Sequence, residues 1–189
     1  MKRTLETLLV EQCAPTLAGV KPASLFRYQP GEERPGKEAV DGLRKDLATS
    51  GLTLRILRVC GQTGAYMLYL YRAQWLHQIL ADSSNQAFLQ KQGYRLECGI
   101  DGILRQLSDR LCMEREYPHE IGVFLGYPLE DVVGFIENRG RNYVCCGYWK
   151  VYGDPAAALK RFECYRRCMA DYKERIRKGI PLARLVVAA

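Results

Sequence analysis

The spacing of hydrophobic positions changes repeatedly between helical and strand periods along the chain, which predicts an α/β or α+β protein. Leu5, Leu8 and Leu9 form a short helical stripe. Pro15 predicts that this helix ends near Cys13, because a proline disfavours the α conformation of the residue before it. Pro15 can itself begin a second short helix. This interpretation places Cys13 at the N-terminus of a helical turn.

The next part of the chain predicts a strand, a helix and a hairpin. Residues 24–28 predict a short strand, and residues 37–49 predict an amphipathic helix that ends before Gly51. Segments 52–60 and 65–72 are rich in β-forming residues and are joined by Gly-Gln-Thr-Gly. This combination is typical of an antiparallel hairpin.

Helices dominate the following segment, with one strand among them. Residues 73–93 predict one or two helices, and residues 100–111 carry apolar side chains at helical spacing. Residues 121–126 are apolar on both alternating faces, which predicts a central strand. Pro128 then begins a helix that runs to Gly140.

The last part of the chain predicts a strand and a long C-terminal helix. Residues 143–152 predict the strand, Asp154 caps the helix and Pro155 opens it. Together these elements predict a single mixed β-sheet of about five strands covered by helices. A chain of 189 residues with 48% apolar residues fits one domain over residues 1–189.

Composition places the chain in the reducing cytoplasm. No apolar stretch approaches the ~20 residues that a membrane-spanning helix needs. Glu6 and Glu11 interrupt the apolar run after the Met-Lys-Arg start, so we expect no secretory signal. The eight cysteines are scattered over a chain that can build a full core, which favours free thiols over disulfides.

Positive charge is concentrated at the C-terminal end. The chain has a net charge of +7, and residues 139–189 hold twelve Lys and Arg against four Asp and Glu. This pattern is typical of a solvated helix face, and it also predicts an anionic partner. We favour an acidic protein over nucleic acid, because no recognised nucleic-acid motif occurs. The basic residues of the long helix are Lys160, Arg161, Arg166, Arg167, Lys173, Arg175, Arg177 and Lys178.

Three sequence words resemble those of one bacterial family. They are Cys-Ala-Pro-Thr-Leu-Ala-Gly-Val-Lys at 13–21, Pro-His-Glu-Ile-Gly-Val-Phe-Leu-Gly-Tyr-Pro-Leu-Glu-Asp-Val-Val-Gly-Phe-Ile-Glu-Asn at 118–138, and Cys-Gly-Tyr-Trp-Lys-Val-Tyr at 146–152. The family is a domain of unknown function found mainly in anaerobes. Its members are often encoded near flavodoxins and ferrous-iron transport components, so the resemblance implies a link to iron or electron transfer. It implies no catalytic residue.

A first chemical hypothesis is a thiol hydrolase or transferase. A helix N-terminus lowers the pKa of a thiol, so Cys13 is the candidate nucleophile. His119 is the candidate base, and Glu120 or Asn138 would orient its imidazole, in the chain order of papain-like hydrolases. The alternative is that Cys13 is an ordinary core residue and that His119 shapes the turn after Pro118.

A second hypothesis is a thiolate metal site or cofactor-binding module linked to iron or flavodoxin electron transfer. Cys164 and Cys168 lie four residues apart on one helix and so project from the same side. With Cys146 they could bind zinc, iron or an iron–sulfur cluster, and Cys13 could join Cys146 and Cys168 as a third ligand. No Cys-x-x-Cys occurs, and an extended strand directs Cys145 away from Cys146.

Overall fold

The computed structural model describes residues 4–31, 36–113 and 117–188. It is a mixed α/β structure with a long C-terminal helix, which confirms the predicted fold class. The helices are α1 (Leu5–Leu17), α2 (Gly36–Ala48), α3 (Ala73–Ala81), α4 (Ser83–Lys91), α5 (Gly99–Met113), α6 (Ile121–Phe124), α7 (Leu129–Glu137) and α8 (Pro155–Arg177). The strands are β1 (Ala23–Tyr28), β2 (Leu52–Val59), β3 (Tyr66–Arg72), β4 (Cys145–Cys146) and β5 (Lys150–Val151), and short 3-10 helices span Leu96–Cys98 and Leu182–Arg184.

The chain forms two compact units. Residues up to Trp75, together with those from Tyr165 onward, make the first unit, and Leu76–Cys164 make the second. Helix α8 passes from the second unit into the first, so Phe162 is buried in one and Tyr172 in the other. That residues 1–189 act as one domain stays a prediction.

The first unit is a three-stranded antiparallel sheet with helices packed on one face. The strand order is β1-β3-β2, and the hairpin of β2 and β3 confirms the sequence prediction. Successive side chains of a strand point to opposite faces of the sheet, so every second residue faces the helices. These strand residues pack against the apolar sides of α1 and α2 and form the core. Its strand members are Phe26, Tyr28, Leu52, Leu54, Leu68 and Leu70.

Helix α1 does not end near Cys13, and that prediction is wrong. It continues through Pro15 to Leu17, with residues 13–17 all buried. The burial of this turn offsets the hydrogen bond that Pro15 cannot donate. Cys13 consequently lies inside a helix and not at the start of one.

The second unit is built mainly from helices α3–α7 and the first part of α8. Residues 121–126 were predicted as a central strand, which is wrong, because Ile121–Phe124 forms the single turn α6. All four of its residues are buried, so no polar face reveals the helical period. Gly126 ends the turn with a φ of 75°, a backbone conformation that glycine adopts readily.

Residues 143–152 are a ribbon and not the single strand that the sequence predicted. β4 and β5 pair antiparallel, with Cys145 opposite Val151 and Cys146 opposite Lys150. The chain turns back at Gly147, where an added Cβ would lie 2.3 Å from the Phe162 ring. The five strands therefore belong to a three-stranded sheet and a two-stranded ribbon, and they do not form one mixed sheet.

Candidate functional site: an aromatic pocket in the second unit

The environment of Cys13 does not favour a thiolate. Its side chain is fully buried in the core of the first unit. Burial raises the pKa of the Cys13 thiol to about 12, and this effect outweighs the opposing influences of Lys21 and a hydrogen bond with Ser24. The thiol is therefore protonated at neutral pH, whereas a nucleophile needs the ionised form.

The predicted partners of Cys13 lie in the second unit, where each carboxylate or amide has its own contacts. Glu120 is buried and accepts hydrogen bonds from the hydroxyl of Tyr94 at 3.0 Å and from Arg110 at 3.3 Å. Asn138 donates to the carbonyl of Gly134 at 2.9 Å. Glu120 and Asn138 thus serve the local structure of the second unit, and within the described part of the chain their hydrogen bonds do not include the His119 imidazole.

The imidazole of His119 belongs to a group of aromatic rings. Its centroid lies 4.7 Å from that of Phe135 and 6.0 Å from that of Tyr117. The His119 side chain is exposed on one side. The candidate base His119 therefore lies in the wall of a pocket.

The cysteines proposed as metal ligands do not form a cluster in the part of the chain that the structure describes. Cys146 is exposed on β4, and Cys164 and Cys168 are half-buried on α8. Among the described residues no group of three or more His, Cys, Asp or Glu side chains is arranged to hold a metal ion. A zinc, iron or iron–sulfur site at these cysteines stays a prediction.

One thiol that sequence analysis passed over has the character predicted for Cys13. Cys60 follows β2 and precedes the turn that leads into β3. A hydrogen bond from the Thr63 hydroxyl, followed by backbone N–H groups of Thr63 and Gln62, lowers the pKa of the Cys60 thiol to about 7. Only the turn geometry creates this environment, so the lowered pKa of Cys60 could not be predicted from the residue pattern.

A pocket of about 230 Å³ lies within the second unit. Six of its lining side chains carry aromatic rings, which come from the segment before α6, from the loop between α6 and α7, from α7 and from the β4–β5 turn. Aliphatic side chains and two ionisable groups complete the wall. The lining residues are Tyr117, His119, Ile121, Gly122, Leu125, Tyr127, Asp131, Val132, Phe135, Tyr148, Trp149 and Lys150.

Ring packing fixes one wall of this aromatic pocket. Tyr127 and Trp149 are stacked, with centroids 4.8 Å apart and planes 25° from parallel. Phe162 packs edge-on against Trp149 at 4.5 Å. Trp149 is only 8% exposed, so its indole is held between two neighbours and forms a rigid surface.

Asp131 anchors the turn that carries Trp149. It lies in the first turn of α7, and its Oδ2 accepts the indole N–H of Trp149 at 2.7 Å. Its Oδ1 accepts the backbone N–H groups of Tyr152 at 2.7 Å and Gly153 at 2.9 Å. Both carboxylate oxygens are therefore engaged by donors of the protein.

Lys150 is a positively charged residue in the lining of the same pocket. Its ammonium donates to the carbonyl of Gly140 at 2.6 Å. It also lies over the ring of Tyr143, 4.8 Å from the centroid, and over that of Phe135 at 5.7 Å. These contacts hold the charge in place without a carboxylate partner among the described residues.

The basic end of α8 is partly neutralised by the helix itself. Arg175 pairs with Asp171 at 2.9 Å, while Arg177 and Lys178 lie 3.9 Å and 3.5 Å from Glu174. An acidic partner for the remaining basic residues stays a prediction. No helix within the described residues is both long enough and apolar enough to cross a membrane.

A family model described as "Protein of unknown function (DUF3793)" matches residues 9–186. The chain belongs to this family. The search of curated proteins and the search of solved structures each found no match.

Two of the three sequence words quoted above, 118–138 and 146–152, supply most of the lining of the aromatic pocket. Every lining residue except Tyr117 falls within 118–138 or 146–152. Among the lining residues, only His119 was predicted from the sequence as a candidate site residue. Recognising the others required the fold, because the two words meet only when the ribbon packs beside α7.

Proposed function

We propose that this protein is a binding module for a small planar aromatic molecule, held in the aromatic pocket of the second unit. The observation that carries the proposal is the ring-lined cavity itself. Most of its lining is apolar, and a few polar groups converge on it, as in ligand sites generally. The rings of Tyr127, Trp149 and Phe135 offer faces and edges against which another ring can pack at little entropic cost.

The size of the pocket limits the ligand to one or two fused rings. Sites for drug-sized ligands span roughly 300–1,000 Å³, whereas this pocket measures about 230 Å³. At about 30 Å³ per water molecule in the liquid, it has the volume of about seven or eight waters. A naphthalene-sized ring system with one substituent suits that volume.

The geometry gives less support to a thiol enzyme. That mechanism requires Cys13 to ionise, and burial raises the pKa of its thiol to about 12. It also assigns catalysis to His119, whereas the imidazole of His119 packs among the rings of Tyr117 and Phe135. The binding role uses His119 where it lies and assigns no chemistry to Cys13.

The proposal is tested by calorimetric titration with 2-naphthamide and with its fully saturated analogue, which has the same polar group but no planar ring. We expect 2-naphthamide to bind at one site with an affinity at least about tenfold higher than the saturated compound. Equal affinities would show that the pocket does not select planar rings. If neither compound binds at millimolar concentration, the proposal is contradicted.

Variants locate the binding site. Tyr117 and Tyr148 line the pocket but are 47% and 38% exposed, so replacing either by alanine should leave the fold intact. We expect Tyr117→Ala and Tyr148→Ala each to weaken binding several-fold. Val144→Ala is the matched control, because Val144 is 62% exposed on the neighbouring ribbon and does not line the pocket.

A further inference from the structure

We infer that the ligand of the aromatic pocket is an anion, a planar aromatic ring that carries a carboxylate or phosphate group bound by Lys150. This inference rests on the proposed function and adds the chemical class of the ligand. It comes from the charges that face the pocket, and the ring packing alone would not require it.

The ammonium of Lys150 is positioned to bind an anionic group. One of its three N–H donors is used by the carbonyl of Gly140 at 2.6 Å. The rings of Phe135 and Tyr143 make cation–π contacts with the ammonium. A fixed ammonium with donors remaining can make charge-assisted hydrogen bonds to an anionic oxygen without first losing side-chain freedom.

The carboxylate in the pocket wall does not cancel this charge by a direct ion pair. Asp131 accepts three hydrogen bonds, from the indole of Trp149 and from the backbone of Tyr152 and Gly153. These donors engage both of its oxygens. Lys150 therefore remains the charged group that a ligand can pair with.

The same charges disfavour the other ligand class that an aromatic pocket suggests. Rings arranged as a cage bind quaternary ammonium groups by attraction to the ring faces. Here the protein's own ammonium already lies over the rings of Phe135 and Tyr143. A cationic ligand would meet a like charge beside those rings, whereas an anion would meet an opposite one.

Calorimetric titration with ligands of one ring system tests the inference. The probes are 2-naphthoate and 2-naphthyl phosphate as anions, 2-naphthamide as the neutral compound and 2-naphthylmethylammonium as the cation. We expect at least one anion to bind about tenfold more tightly than the amide, and the cation to bind most weakly. The two anions distinguish a carboxylate site from a phosphate site.

Replacing Lys150 shows whether its charge causes the preference. We expect Lys150→Met to lower the affinity for the preferred anion about tenfold more than it lowers the affinity for 2-naphthamide. Lys150→Arg should retain the preference, which separates loss of charge from loss of structure. Lys160→Met is the matched control, because Lys160 is exposed on α8 and does not line the pocket.

Failure of the inference and failure of the proposed function give different results. Equal affinity for anion and amide, or a tighter cation, would overturn the inference while the pocket remains a site for planar rings. An anion preference that survives in Lys150→Met would also overturn it. Absence of binding by all four probes would overturn the proposed function and the inference together.

Discussion

The indole N–H of Trp149 donates to Oδ2 of Asp131 across 2.7 Å, joining the β4–β5 turn to the first turn of α7. Asp131 is 3% exposed and Trp149 is 8% exposed, so this bond forms in the interior of the second unit. Because the same carboxylate accepts two backbone donors beyond the turn, it fixes both the indole and the chain that follows it. The shape of the aromatic pocket depends on this contact.

Replacing Asp131 by asparagine should therefore loosen the second unit. If the amide oxygen keeps the two backbone donors, the amide nitrogen faces the indole N–H, and two donors oppose each other. We expect Asp131→Asn to lower the free energy of unfolding by about 1–3 kcal/mol. The measurement is urea unfolding followed by Trp149 fluorescence in a Trp75→Phe background.

Asp154→Asn is the control for the loss of a carboxylate. Asp154 caps α8 by accepting from the backbone of Ala156 and Ala157. Asparagine caps helices about as well as aspartate. The free energy of unfolding of Asp154→Asn should therefore differ from that of the unmodified protein by only a few tenths of a kcal/mol. Equal stability of the two variants would contradict the role given to Asp131.

Close packing at Gly134 gives a second prediction for the same unit. A Cβ at this position would lie 2.4 Å from Cγ of the Tyr152 ring. We expect Gly134→Ala to destabilise the protein by about 1–3 kcal/mol, because the ring or the helix must move. Gly42→Ala, on an exposed position of α2 with nothing within 4 Å, should be neutral or stabilising. Thermal unfolding of the two variants measures both effects. Equal changes in stability for Gly134→Ala and Gly42→Ala would contradict the packing argument.

A buried arginine stabilises the first unit. Arg72 is 1% exposed and donates to the carbonyls of Thr16 at 2.9 Å, Leu17 at 3.0 Å and Val187 at 2.8 Å. Two of these carbonyls lie at the C-terminal end of α1, where the helix dipole favours a cation. Arg72 thus ties the sheet to the end of α1 and to the C-terminal segment.

We expect Arg72→Met to lower the free energy of unfolding by about 1–3 kcal/mol or more, since the carbonyls of Thr16, Leu17 and Val187 each lose a hydrogen bond from the guanidinium. Arg72→Lys should not restore the stability, because one ammonium cannot reproduce the geometry of the guanidinium. Arg58→Met, at an exposed position of β2, is the control. Denaturant unfolding measures all three, and full stability of Arg72→Lys would show that charge alone is sufficient.

The thiol environments predict opposite reactivities for two cysteines. The pKa of Cys60 is lowered to about 7 and that of Cys13 is raised to about 12. In the native protein, iodoacetamide should modify Cys60 at a rate that rises with pH and levels off above about pH 8, as the thiolate fraction saturates. Cys13 should react only after unfolding, because its thiol is buried and protonated.

Peptide mass spectrometry over a pH series measures both rates. Thr63→Val removes the hydrogen bond that contributes most to the lowered pKa of Cys60, so it should move the rise of the Cys60 rate to higher pH. Native-state modification of Cys13 at a rate near that of Cys60 would restore the thiol-enzyme hypothesis and contradict the present account.

The sequence predicted elements whose pattern is local. Helices α2 and α5 show a regular apolar stripe, α8 has a clear capping residue, and the β2–β3 hairpin has β-rich segments joined by a glycine-rich turn. The predictions from the sequence were wrong where the surrounding structure determines the local conformation. Helix α6 is buried on all sides and so lacks a polar face, and the burial around Pro15 carries α1 past the expected break.

The candidate site was predictable only in part for the same reason. His119 attracted attention because its residue type is chemically versatile, and the structure does place it in the pocket. The rings of Tyr127, Phe135 and Trp149 are ordinary core residues by type, and only packing brings them together. For Cys13, burial reversed the pKa shift that the expected helix start would have given.

The indole N–H signals in a proton–nitrogen NMR spectrum test the binding pocket most directly. The chain has two tryptophans, and Trp75→Phe assigns the signal of Trp149. On titration with 2-naphthoate, the account predicts that the Trp149 signal shifts and saturates while that of Trp75 stays in place. A Trp149 signal that moves with neither 2-naphthoate nor 2-naphthamide at millimolar concentration would contradict the assignment of this pocket as a binding site.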